Sequence, residues 1–153
     1  TQVSDLHIDD FYQDVGKILR RLYSAFPNKT DLSVDDSSGA DEPDEGGLPH
    51  PRYLSCYATM VWLAEHDYLT FGATMRQDGL DQATLTRRSF LILSGRSRAD
   101  FATPPAGSDL PDSLVEHSLT NISQLRAALK SGSSLRVEQC VRYLLSLPEG
   151  HWD

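Results

Sequence analysis

The feature that most restricts this chain is a change of hydrophobic period at Asp67–Tyr68. Before it, Leu54, Tyr57, Ala58, Val61 and Trp62 follow the 3,4 spacing of a helix, and Met60 and Leu63 widen the stripe. Leu48-Pro49-His50-Pro51 opens this helix, because a proline costs nothing in the first turn. Glu65-His66-Asp67 closes it, and Asp67 tolerates the left-handed backbone that a helix end asks for. After Asp67 the period is two. Leu69, Phe71, Ala73 and Met75 fall on one face, and Tyr68, Thr70 and Thr74 on the other. Asp78-Gly79 is a hairpin-turn pair, the return strand runs from Leu80 to Leu85, and Thr86 caps a short helix over Arg87 to Leu93. A chain that changes period in this way is α+β.

The flanks are helical. Ile8, Phe11, Tyr12, Val15, Ile18, Leu19, Leu22, Tyr23 and Phe26 form one stripe, with Asp9, Asp10 and Asp14 early and Lys17, Arg20 and Arg21 late, as the helix dipole prefers. Residues 31–47 carry seven acidic side chains and no basic one, with a short strand expected at Leu32 to Val34 before a solvated loop. Residues 94–112 hold three prolines and two glycines and read as a linker. Ser113 and Glu116 form a capping box for a helix carrying Val115, Leu119, Ile122, Leu125 and Leu129. Ser131-Gly132-Ser133-Ser134 breaks it, and a last helix carries Val137, Cys140, Val141, Leu144 and Leu145. Residues 113–153 are therefore a helical hairpin that packs on the first part or dimerises. Cys56 and Cys140 each sit in an apolar helical pattern and read as buried free thiols, with one disulfide as the alternative in an exported protein. The expected core is Phe11, Val15, Ile18, Leu22, Leu54, Ala58, Val61, Trp62, Leu69, Phe71, Leu85 and Phe90.

Over residues 8–93 this order resembles a winged helix-turn-helix domain. The resemblance is carried by Trp62-Leu63-Ala64-Glu65-His66-Asp67-Tyr68-Leu69-Thr70-Phe71 and by Ala83-Thr84-Leu85-Thr86-Arg87-Arg88-Ser89-Phe90-Leu91-Ile92-Leu93. It implies residues 1–93 as a winged-helix-like domain with a β-hairpin wing, 94–112 as linker and 113–153 as the helical hairpin. It also implies a DNA-reading helix over Pro51 to Thr59, which here offers Arg52, Tyr53, Ser55 and Thr59. Two departures count against DNA. The slot of the family's second helix holds the acidic loop, and the reading helix has one positive charge.

Charge points the same way. The chain has 14 Lys plus Arg against 22 Asp plus Glu, a net of −8. Residues 1–76 hold six bases and thirteen acids, residues 77–153 eight and nine. Arg76, Arg87, Arg88, Arg96 and Arg98 make the wing and the segment after it locally basic. Arg52, Tyr53, Arg76, Arg87 and Arg88 are the candidate contacts to a nucleic acid or an acidic partner.

Catalytic and cofactor motifs are missing. The histidines His7, His50, His66, His117 and His151 show no zinc spacing, and the chain holds no P-loop, dinucleotide glycine run, G-x-S-x-G or H-E-x-x-H. No cofactor and no resident metal is expected. Oxygen side chains recur at Asp31, Ser33, Asp35 and Ser37 with Glu42 at position twelve, but an EF-hand loop needs glycine at position six, where Asp36 stands. No apolar run exceeds about five residues, whereas a membrane helix needs about 20. No signal peptide is visible at Thr1-Gln2-Val3-Ser4-Asp5, so a cytoplasmic protein is expected, although without an initiator Met a removed leader stays open.

These features together support a non-catalytic protein-interaction module on an acidic winged-helix scaffold, with a protein partner and a homodimer through the C-terminal helices as the partner classes. Acidic winged helices resemble accessory subunits of larger bacterial assemblies, such as condensin-type complexes. The alternatives are a DNA-binding transcriptional regulator using Arg52 and the basic wing, and a small enzyme or immunity-type protein.

Overall fold

A computed structural model describes residues 6–34, 51–75, 78–97 and 119–147. These form a mostly helical α+β protein. Its elements are α1 (Leu6–Ala25), β1 (Thr30–Ser33), α2 (Pro51–Glu65), β2 (Leu69–Thr70), β3 (Ala73–Thr74), β4 (Gly79–Leu85), α3 (Arg87–Ser94), α4 (Asn121–Ser131) and α5 (Ser134–Ser146).

The core is built around α1. Val15, Ile18, Leu19 and Leu22 are buried on it, and α2, α4, α5 and β4 all pack against it. Gly16 lets the C-terminal helices come close, since a Cβ there would sit 3.3 Å from both Leu125 Cδ1 and Leu129 Cδ2. Leu125, Val137, Val141 and Leu144 join the same apolar cluster as Leu32, Met60, Leu63 and Leu80. The helical hairpin thus packs on the first part of the chain.

The sheet is antiparallel, with β4 central, β1 on one side and β2 and β3 on the other. The first strand lies at 30–33, two residues earlier than expected, although Val34 is also fully buried and donates its N–H to the Asp78 carbonyl at 2.9 Å. The hairpin exists, but its turn is not at Asp78-Gly79. The Asp78 N–H reaches back to the Met75 carbonyl at 2.9 Å and Gly79 already belongs to β4, so these two residues are not the central pair of the turn. Glycine is needed at 79 for another reason. It pairs with Ser33, and a Cβ there would lie 1.9 Å from the Leu32 carbonyl oxygen.

The outgoing strand is broken as well. β2 stops at Thr70 and β3 resumes at Ala73. On β4, Gln82 adopts a left-handed φ of 53°, and the register against β1 shifts between Thr30 and Leu32. One residue of β4 is therefore extra, which is a β-bulge. The alternation from Leu69 is lost in the break between β2 and β3, and Phe71, expected in the core, is 37% exposed.

Local signals at the helix ends hold. Asp67 has φ 64°. Thr86 caps α3 by accepting from the Ser89 N–H, and Gly132 closes α4 at φ 75°. Thr120 caps α4; the Ser113–Glu116 capping box lies outside the described residues. The chain on either side of residues 98–118 is zipped together, Arg96 bridging Thr120 and the Ser97 N–H donating to the Leu119 carbonyl at 2.7 Å.

Candidate functional site

The largest departure from the sequence reading is the rotation of α2. Its inward side chains are Cys56, Met60 and Leu63, each fully buried, with Thr59. At 100° per residue these lie nearly opposite Leu54, Ala58 and Val61, the stripe expected in the core. Leu54 is 39% exposed, Ala58 is exposed, and Tyr57, Val61 and Trp62 are half-buried. The reason is compositional. Apolar residues ring this helix almost completely, so periodicity alone does not choose the buried side.

The choice is fixed by an ion pair. Arg52, one turn before Cys56, donates from Nη1 and Nη2 to the two carboxylate oxygens of Asp14 on α1, at 2.6 and 2.5 Å. Its Nε lies 3.5 Å from Asp10. Asp14 has no solvent exposure. Burial pushes its carboxyl above the ordinary 3.8, against the opposing pull of the Arg52 guanidinium. Arg52 in turn is held charged by its hydrogen bonds to Asp14, its pKa raised despite its own burial. One of the sequence candidates for a DNA contact is thus engaged in an ion pair within the fold.

The remaining candidates separate. Arg88 stacks over the Tyr68 ring at 4.5 Å, and donates to the His66 carbonyl at 3.0 Å and to the Tyr68 hydroxyl at 3.3 Å. Arg87 is exposed. Arg76 and the side chain of Tyr53 lie outside the described residues. Asp31 and Ser33 sit in the paired strand β1, where the Asp31 carboxylate accepts the Gln82 N–H at 3.2 Å, rather than in a loop that could wrap a cation. Asp35 and Glu42 are outside the described residues, and among those described no group of three His, Cys, Asp or Glu could hold a metal.

Around the outward side of α2 the surface is aromatic. Trp62 meets Phe11 edge-on at 5.2 Å, lies over His66 at 4.3 Å and stacks with Tyr68 at 6.2 Å. Phe11 meets Tyr12 at 5.6 Å, and Arg142 donates to the Tyr12 hydroxyl at 3.0 Å. The row is tied down at both ends by arginines, Arg142 and Arg88. Sequence reasoning finds Leu54, Ala58 and Val61 but gives them to the core; no signal short of the Asp14–Arg52 pairing could turn them outward. The two cysteines are buried and not joined in a disulfide, and desolvation pushes the Cys140 thiol up to about 12. No helix among the described residues is long and apolar enough to cross a membrane. Comparison with protein-family models, with curated proteins and with solved structures finds no match.

Proposed function

We propose that the chain is a non-catalytic protein-interaction module on a winged-helix scaffold, and that the outward face of α2 receives the partner. The observation that carries this is the composition of that face. A helix in the DNA-reading position would be expected to offer polar and basic side chains to base edges and phosphates. Here it offers Leu54, Ala58 and Val61, flanked by Tyr57 and Trp62, while its one arginine is engaged with Asp14. Exposed apolar and aromatic side chains at a helix surface suit a protein partner. The order β1-β4-β2 and the helix after β4 support the scaffold.

Two measurements test the reading. The first is a titration with duplex DNA at 0.15 M salt. The net −8 opposes phosphate contact, so binding no tighter than about 10⁻⁴ M is expected. Micromolar binding that weakens in Arg87→Ala and Arg88→Ala would promote the regulator reading instead. The second compares wild type with Leu54→Glu for partner capture in the source cell's extract. A partner retained by the first and lost by the second, at equal thermal stability, is the expected result. Equal capture by both removes α2 from the interface.

A further inference from the structure

A second surface, sharing no residue with the α2 face, has the opposite character. Between the C-terminal half of α1, the start of β1 and the exposed side of α4 lies an open groove of about 720 Å³. Four cations line it, Arg20 and Arg21 from α1 and Arg126 and Lys130 from α4, together with Ser24 and Thr30. No carboxylate side chain lines it among the described residues. Four of the chain's 14 basic residues converge there, in a protein of net charge −8.

The helix dipole accounts for one of them. Lys130 stands in the last turn of α4, where a cation is favoured. Arg20 and Arg21 come before the last turn of α1, and Arg126 sits mid-helix, so their convergence has no such cause. Two of the guanidiniums are also held in place. Arg21 donates from Nε and Nη2 to the Asp31 carbonyl at 3.3 and 3.2 Å. Arg126 donates to the Ser24 hydroxyl at 3.1 Å and lies 5.4 Å from the centre of the Tyr23 ring. Fixed guanidinium forks lose little freedom on meeting a carboxylate.

We propose that this groove binds an acidic peptide segment of a protein partner, its carboxylates pairing with Arg20, Arg126 and Lys130. A duplex fits less well. It presents a long row of phosphates, whereas the groove is one short cluster within a strongly acidic chain. Recognition in the groove rests on side-chain donors, whose guanidinium forks pair bidentately with carboxylates.

The test is fluorescence anisotropy of the full chain with a labelled peptide of alternating Glu and Ser, against a labelled DNA duplex. Charge is reversed at the two groove cations outside these holding contacts, as Arg20→Glu with Lys130→Glu. A charge-matched control carries Arg87→Glu with Arg96→Glu, and circular dichroism melting verifies that both double variants fold. The peptide is expected to bind, to weaken with added salt, and to lose about tenfold or more in the groove variant while the control keeps most of its affinity. That figure follows from exposed pairs each worth up to about fivefold. No peptide binding overturns the proposal. Equal loss in the control assigns the attraction to net charge and overturns it too. A duplex that outcompetes the peptide in wild type and is lost in the groove variant replaces it with a nucleic-acid site. None of these outcomes depends on Leu54, so the groove and the α2 face stand or fall separately.

Discussion

Replacing Arg52 with Ala should destabilise the protein far more than removal of a surface arginine. The partner it leaves behind, Asp14, has no solvent exposure and takes two hydrogen bonds from the lost guanidinium. An exposed ion pair contributes about 0–1 kcal/mol. A buried carboxylate stripped of its partner costs about 3–5 kcal/mol, a large share of the roughly 5–15 kcal/mol that holds a domain together. With a urea m-value of about 2 kcal/mol/M, the unfolding midpoint should fall by roughly 1.5–2.5 M. Trp62 fluorescence provides the signal, since its ring packs between Phe11 and Tyr68. The penalty should also depend on pH. Burial raises the Asp14 pKa and Arg52 lowers it, so without Arg52 the folded-state pKa rises further above 3.8. A folded-state pKa above the unfolded one means that the folded state holds a proton the unfolded state has shed. The penalty relative to wild type should therefore be smallest below about pH 4 and grow as pH climbs through the raised pKa. Replacing both residues, as Asp14→Leu with Arg52→Met, removes the stranded charge and should recover most of the loss. A cost for Arg52→Ala below about 1 kcal/mol at neutral pH would refute the clamp and return Arg52 to the surface contacts.

Three further outcomes rest on the packing. Leu63→Ala should cost about 2–5 kcal/mol while Leu54→Ala stays within about 1 kcal/mol, and the reverse order in urea unfolding would put α2 back on the face expected from its periodicity. Gly79→Ala should cost on the order of 3 kcal/mol, because its Cβ would collide with the Leu32 carbonyl and push β1 off β4; unchanged thermal stability would show that the two strands do not approach so closely. Cys56 and Cys140 should resist a thiol reagent at pH 8 until the chain is unfolded, given their burial and the raised pKa of Cys140; labelling of the native protein within minutes would contradict it.

Those features that arise from neighbouring residues are legible in the sequence. The left-handed Asp67, the Thr86 cap, the Gly132 break and the helix–hairpin–helix order all rest on interactions within a few positions, which the sequence displays directly. Long-range geometry is not legible. Gly79 reads as a turn residue because Asp-Gly is one locally, yet its role is set by the β1 backbone more than forty positions away. Alternation gives Phe71 to the core, but β2 ends at Thr70 and Phe71 falls in the break before β3, 37% exposed. The basic groove is hidden in the sequence because its residues stand about a hundred positions apart, within an overall acidic count.

The rotation of α2 is where these levels meet. Its inward set is Cys56, Met60 and Leu63, and its outward set is Leu54, Ala58 and Val61, so turning it over would exchange two apolar surfaces of comparable size. At about 25 cal/mol per Å² the difference between them is small, since what one orientation buries the other nearly matches. The Asp14–Arg52 pair is not interchangeable in this way. Arg52 projects on the Cys56 side, and turning α2 over would carry it away from a fully buried carboxylate. The resulting loss of about 3–5 kcal/mol outweighs any apolar difference between the faces. An ion pair that adds little net stability can thus decide which side of a nearly all-apolar helix meets the core. The consequence reaches the proposed function. One arginine is tied to Asp14 and one apolar stripe faces outward, so the same contact that engages a phosphate ligand leaves the face that we propose for a protein partner.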